Sequence, residues 1–211
     1  MPRIFITRSI PGPGPDLLHE QGYEVDTHEG SEPLPRAELL KRVKGVDAIL
    51  CLLTDTIDDA ALKAAGPSLR VVANYAVGFD NIDLAAAKKH GVAVTNTPVP
   101  EMTESVAEYT IALLLSLARR IPEADAFTRA GRYTGWSPEL LLGTDLRKKT
   151  LGIVGAGRIG QRVAEIARKG LGMSIVYSSR HAEPELSQAL DAAFLPLDQL
   201  LQRADVVSVH T

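Results

Sequence analysis

Thr150-Leu151-Gly152-Ile153-Val154-Gly155-Ala156-Gly157-Arg158-Ile159-Gly160 joins an apolar run of strand length to a G-x-G-x-x-G turn. The turn opens an amphipathic stretch, Arg158–Gly170. Strand before and helix after is the context that turns this short pattern into a dinucleotide-binding fingerprint. Gly155 permits the tight turn, Gly157 lets the backbone approach a pyrophosphate, and Gly160 lets helix and strand pack closely. The free N–H groups of Arg158 and Ile159 and the helix dipole then favour an anion. A glycine turn with no ligand is the competing reading, and the flanking elements disfavour it.

Working outward, the second half continues with a strand at Ser174–Ser178, a helix at Glu183–Leu190 and a short strand at Ala193–Leu195. A helix at Leu197–Arg203 and a strand at Asp205–His210 follow. The first half alternates candidate strands Arg3–Thr7, Tyr23–His28, Asp47–Leu53, Val71–Ala76 and Ala93–Asn96 with helices near Pro13–Gln21, Pro35–Val43, Asp58–Ala65 and Asp83–His90. Nearly continuous Val/Ile/Leu runs are buried on both faces, as parallel strands are. Their alternation with helices predicts an α/β protein built of right-handed βαβ units in open, doubly wound sheets. The first unit ends near Thr97-Pro98-Val99-Pro100, where two prolines break regular structure. A long helix, Met102–Arg120, comes next, with Thr103 as its expected N-cap and Pro122 interrupting its continuation. The loop Gly131–Pro138 holds the single tryptophan, Trp136.

The 211 residues carry 23 Lys plus Arg against 26 Asp plus Glu, a formal charge of -3. Without a basic block, the sequence gives no reason to expect nucleic acid or an anionic membrane as a partner. No apolar run is long enough to span a bilayer, and no signal-peptide pattern opens the chain. One cysteine, Cys51, allows no internal disulfide and suits the reducing cytoplasm.

Which dinucleotide is favoured depends on the end of the strand after the glycine turn. An NAD site places an acidic residue there to accept from the ribose 2′-OH. Here that position reads Tyr177-Ser178-Ser179-Arg180-His181, without a carboxylate. Hydroxyls and a guanidinium favour a 2′-phosphate, so NADP(H) is expected over NAD(H).

Several stretches resemble the D-isomer-specific 2-hydroxyacid dehydrogenases: Asn74-Tyr75-Ala76-Val77-Gly78-Phe79-Asp80-Asn81-Ile82-Asp83, Gly91–Pro98, Ser105-Val106-Ala107-Glu108 and Lys149–Gly160. Within that family, Trp136-Ser137-Pro138 and Ser178-Ser179-Arg180 are most similar to the glyoxylate/hydroxypyruvate reductases. The resemblance implies a flavodoxin-like substrate domain at 1–98 and a Rossmann-type coenzyme domain from 99 to 211. It further implies that backbone amides of Val77 and Gly78 hold a substrate carboxylate, that Leu53 lines the same pocket, and that Thr103 sits near the nicotinamide. His210 falls on the cofactor-ribose side, and the Trp136 loop belongs to a homodimer contact. The implied reaction is NADPH-dependent reduction of a small 2-oxo acid. Alternatives are a non-catalytic, corepressor-like dinucleotide sensor and a dehydrogenase of another D-2-hydroxy acid.

Such a reduction needs an acid to protonate the carbonyl oxygen and a cation to polarise it. The family's Arg, Glu and His for these tasks come after the strand that corresponds to Asp205–His210. The sequence is therefore expected to be the N-terminal two-thirds of an enzyme, its coenzyme domain stopping at the fourth strand. Residues 1–211 alone are expected not to turn over. His19, His28, His90 and His181 read as structural or solvated, and Cys51 as a core residue.

Overall fold

A computed structural model describes all 211 residues, which form two compact units, Met1–Val99 and Pro100–Thr211. The first has five strands: β1 (Arg3–Ile6), β2 (Glu24–Thr27), β3 (Ala48–Cys51), β4 (Val71–Asn74) and β5 (Ala93–Thr95). Helices α1 (Gly14–Glu20), α2 (Arg36–Arg42), α3 (Asp59–Ala65) and α4 (Leu84–His90) connect them. All pairings are parallel, in the order β2-β1-β3-β4-β5. That is the flavodoxin-like order, with its switch point between β1 and β3. Phe5, Ile49 and Val72 from the strands are fully buried against Leu39, Leu62 and Ala87 from the helices. Local chemistry agrees with this packing. Asp58 and Asp83 cap α3 and α4 by accepting from the N–H groups of Ala61 and Ala86, each cap worth about 1 kcal/mol.

The second unit opens with α5 (Pro100–Ala118) and α6 (Ile121–Arg129). Its sheet contains β6 (Thr150–Val154), β7 (Ser174–Ser178), β8 (Ala193–Phe194) and β9 (Val206–Val209). Helices α7 (Arg158–Leu171), α8 (Pro184–Leu190) and α9 (Leu197–Arg203) lie between the strands. The parallel order β8-β7-β6-β9 is the first two-thirds of the Rossmann order, with the switch point between β6 and β9. Leu151, Ile153 and Tyr177 form the core with Ala107 and Ile111 of α5 and Val163, Ala164 and Ala167 of α7. Alanines at these contacts let the helices lie close. At the rim, Arg162 grips Glu104 through Nε and Nη2, at 2.6 and 2.7 Å, tying α7 to α5.

Both sheets share a device at the N-terminal rim of the switch point. Arg3 N–H donates to the Asp47 carboxylate (2.7 Å) while Asp47 N–H donates to the Arg3 carbonyl (2.8 Å). Thr150 and Asp205 repeat this reciprocal pair at 2.8 and 2.9 Å.

The long helix departs from expectation. It begins at Pro100, so Thr103 lies inside it and caps nothing. Pro122 does not end the helical region either. Arg120 turns the chain in the left-handed conformation (φ 55°), and Pro122 then occupies the first turn of α6, where its missing N–H costs no hydrogen bond. The last strand, β9, is an edge strand with Val207 and Val209 exposed.

Candidate functional site

The glycine turn between β6 and α7 is closely constrained. Gly155 has φ +94°, and a Cβ there would collide with the His210 carbonyl. A Cβ on Gly160 would strike the Gly155 carbonyl. Gly157 is the N-cap of α7, no side chain caps that helix, and a Cβ on Gly157 would meet open space. The turn therefore presents bare backbone and uncapped N–H groups to a cleft, which is the cradle a pyrophosphate needs. Gly155 N–H donates to the Ser178 carbonyl (2.8 Å), drawing the end of β7 against the turn.

The cleft has a volume of about 570 Å³ and is lined by Gly155, Gly157, Ser178, Ser179, Arg180 and His210, among others. The structure thus gathers six residues singled out from sequence. His210 is held neutral-leaning, its imidazole pKa pushed down by burial, and its Nε2 lies 2.8 Å from Ser208 Oγ. Two residues were not among the site residues expected from the sequence. Glu183 lines the cleft, an acidic residue five positions beyond the strand end. Fully buried Tyr177 fixes that segment, since its hydroxyl accepts from Glu183 N–H at 2.8 Å. The only sequence signal was a hydroxyl-bearing aromatic beside the aliphatic Ile175 and Val176 in mid-strand.

Thr103 and Arg158 do not line this cleft. They share a separate depression of about 530 Å³ with residues of α7 and α8. Ile159, in the first turn of α7, is half-buried.

In the first unit, β3 ends at Cys51, so Leu53 lies in the following turn rather than on the strand. It is 58% exposed, and its Cδ2 would be 3.7 Å from a Cβ on Gly78. Leu53, Val77 and Gly78 thus cluster at the C-terminal end of the sheet. The Ala76, Val77 and Gly78 carbonyls each accept from the protein. Thr97 N–H and Oγ1 serve Ala76 (2.8 and 3.2 Å), Asn96 Nδ2 serves Val77 (2.7 Å), and Asn74 Nδ2 serves Gly78 (2.8 Å). Asn81 Nδ2 donates to the Leu52 and Asp55 carbonyls, fastening the two turns together. The N–H groups of Val77, Gly78 and Phe79 donate to no protein atom. Cys51 is fully buried with its thiol pKa pushed up to about 12, chiefly by desolvation, which makes it an inert core residue. His90 pairs with Asp59 (2.8 Å) at the end of α4. No cluster of His, Cys, Asp or Glu could hold a metal, and no helix is long and apolar enough to cross a membrane.

The family model for the D-isomer specific 2-hydroxyacid dehydrogenase catalytic domain matches residues 4–207. The chain belongs to that family. Glyoxylate reductase from Thermococcus litoralis is 46% identical over 99% of this chain and 63% of its own length. The enzyme of the same name from Thermococcus kodakarensis is 47% identical over 98% and 62%. Among solved structures, the TT0316 protein of Thermus thermophilus superposes with a TM-score of 0.90 at 47% identity, covering 99% of this chain and 64% of that one. D-lactate dehydrogenase from Aquifex aeolicus, complexed with NAD and lactic acid, superposes with 0.81 at 27% identity, over 99% and 60%. The chain therefore spans a little over three-fifths of the length of these 2-hydroxyacid dehydrogenase relatives.

Proposed function

We propose that this chain supplies the substrate and coenzyme sites of an NADPH-dependent reductase that converts a small 2-oxo acid, glyoxylate or hydroxypyruvate, to its 2-hydroxy acid. The observation that carries this reading is the bare glycine cleft, in which Gly155 and Gly157 lie beside Ser178, Ser179 and Arg180. Family membership and the glyoxylate reductase relatives support the substrate class. A nicotinamide dinucleotide, when bound, supplies the hydride. The N–H groups of Arg158 and Ile159 receive its pyrophosphate, and Arg180 with the two serines receives the 2′-phosphate. Family resemblance assigns Thr103 to the nicotinamide and His210, which lines the cleft, to its ribose. Leu53, Val77 and Gly78 receive the oxo acid, with its carboxylate on the free amides.

NAD(H) is the second reading, and a specific observation favours it. Glu183 is among the residues that line the cleft, and a carboxylate turned into it would accept from a ribose 2′-OH and repel a 2′-phosphate. Titrating NADPH and NADH into the protein by fluorescence separates the two. Tighter NADPH binding supports the proposal, tighter NADH binding selects the second reading, and binding of neither sinks both.

The protein is further proposed to act as a homodimer in the cytoplasm. Tyr109, Leu113 and Leu117 form an exposed stripe on α5, and Trp136 is 82% exposed, a costly surface for an isolated chain. The buried, unpaired Cys51 fits a reducing compartment. Light scattering over a range of concentrations tests the dimer, and a monomer throughout would remove it.

A further inference from the structure

Three consecutive carbonyls, those of Ala76, Val77 and Gly78, accept from Thr97, Asn96 and Asn74 respectively. A trans peptide is planar, so the N–H of each next residue points opposite to the carbonyl. No cis peptide is present. Fixing the three carbonyls therefore fixes the N–H directions of Val77, Gly78 and Phe79. Asn74 ends β4, and Asn96 and Thr97 follow β5, the strand paired to it with Ala73 opposite Thr95. The clamp thus comes from the C-terminal end of the sheet, and the amides it turns away are the ones without a protein partner.

We infer that Asn74, Asn96 and Thr97 are positioning residues for carboxylate recognition, and that Phe79 N–H joins those of Val77 and Gly78 as a donor. This rests on the carboxylate-binding reading of the Val77–Gly78 turn proposed above. A loop whose carbonyls were solvated could rotate its peptide planes, and donors must be pre-aimed if binding is not to bear that ordering cost. Asn74 is itself steadied, because it is fully buried with its Oδ1 accepting from the Cys51 thiol (3.3 Å) and its Nδ2 3.0 Å from Asn81 Oδ1. Asn96 has no such second task among its hydrogen bonds, which makes it the cleaner position to change.

The test is titration of the isotope-labelled protein with oxamate, an unreactive 2-oxo acid analogue, followed through backbone amide shifts. In the wild type the Val77, Gly78 and Phe79 signals move together. Asn96→Ala loses one carbonyl anchor, and its oxamate affinity is expected to fall about three- to tenfold, the equivalent of one ordinary hydrogen bond. Asn96→Asp keeps the size but replaces the donor with an acceptor, and its affinity should fall at least as far. In both variants the thermal midpoint and the amide signals outside residues 76–79 and the substituted position stay near wild type. Unchanged affinity in Asn96→Ala overturns the inference while leaving the carboxylate site standing. Weakened affinity accompanied by shifts spread through β4 and β5 also overturns it, since Asn96 would then act on the sheet as a whole. A wild type that does not respond to oxamate overturns both the site and its clamp.

Discussion

The α-carbon of Gly155 faces the main-chain carbonyl of His210, with no room for a side chain between them. Both residues line the proposed coenzyme cleft, one from the turn after β6 and the other from just beyond β9. Gly155→Ala must therefore move one strand end away from the other and also adopt φ +94°, a conformation costing about 1–3 kcal/mol for a residue with a side chain. Dinucleotide binding should be lost, and the thermal midpoint should fall. Intact NADPH binding by a normally stable variant would show that the turn is not the cradle.

Arg180→Ala is expected to weaken NADPH binding about tenfold or more, the effect of losing one charged partner, and to change NADH binding little. Glu183→Gln should act in the opposite sense, favouring NADPH over NADH. Paired fluorescence titrations of the variants measure the ratio. Equal loss for the two coenzymes in Arg180→Ala would remove that guanidinium from 2′-phosphate recognition.

Gly152 sits in mid-strand beneath α9. A Cβ there would lie 2.7 Å from Leu200 Cδ2 and 2.9 Å from Ala204 Cβ. Gly152→Ala should destabilise by about 1–3 kcal/mol through overpacking. Leu200→Ala alone leaves a cavity costing about 2–5 kcal/mol. The double variant should lose less than the sum, because each change relieves the other, and denaturant unfolding reads that coupling. Simple additivity would mean that Leu200 does not bear on Gly152.

Acid should remove the ion pairs that Asp59 makes with Lys63 on α3 and His90 on α4. Hydrogen bonds from Lys63 and His90 pull the Asp59 carboxyl down from its ordinary 3.8 to about 2. A depressed folded-state pKa contributes stability that is present above about pH 4 and disappears as the pH falls through 2. Asp59→Asn should therefore show a flatter stability profile than wild type across that window, and the two should converge below it. Added salt should shrink the difference, because the pair is exposed. Parallel acid-unfolding curves for wild type and variant would contradict the assignment.

Elements made of an uninterrupted apolar run between turn residues were legible in the sequence almost to the residue. The sequence-derived bounds of β6 and β7 coincide with the strands seen, as do those of α9. The glycine turn was equally legible, since backbone geometry alone dictates its residues. The second helix, α6, was not, because Pro122 reads as a breaker until Arg120 is seen to turn the chain and leave the proline in a first turn. Glu183 escaped notice because its main chain is held by the Tyr177 hydroxyl, a contact between the inside of a sheet and a loop six residues later. The Asn74–Asn96 clamp depends on β4 and β5 lying side by side, which periodicity along one segment does not reveal.

The reciprocal pairs Arg3–Asp47 and Thr150–Asp205 work as dowels. Each pins the first strand of its sheet to the one across the switch point, at the rim farthest from the ligand cleft or turn. A slip of one residue would withdraw the carboxylate from its amide and turn a whole strand's apolar face outward. Strands are stiff along their length, so alignment imposed at one rim is inherited at the other. Whether Gly155 arrives opposite His210 is thus decided a strand's length away by Asp205, and where the Leu53 turn emerges relative to β1 is decided by Asp47, two aspartates that touch neither ligand.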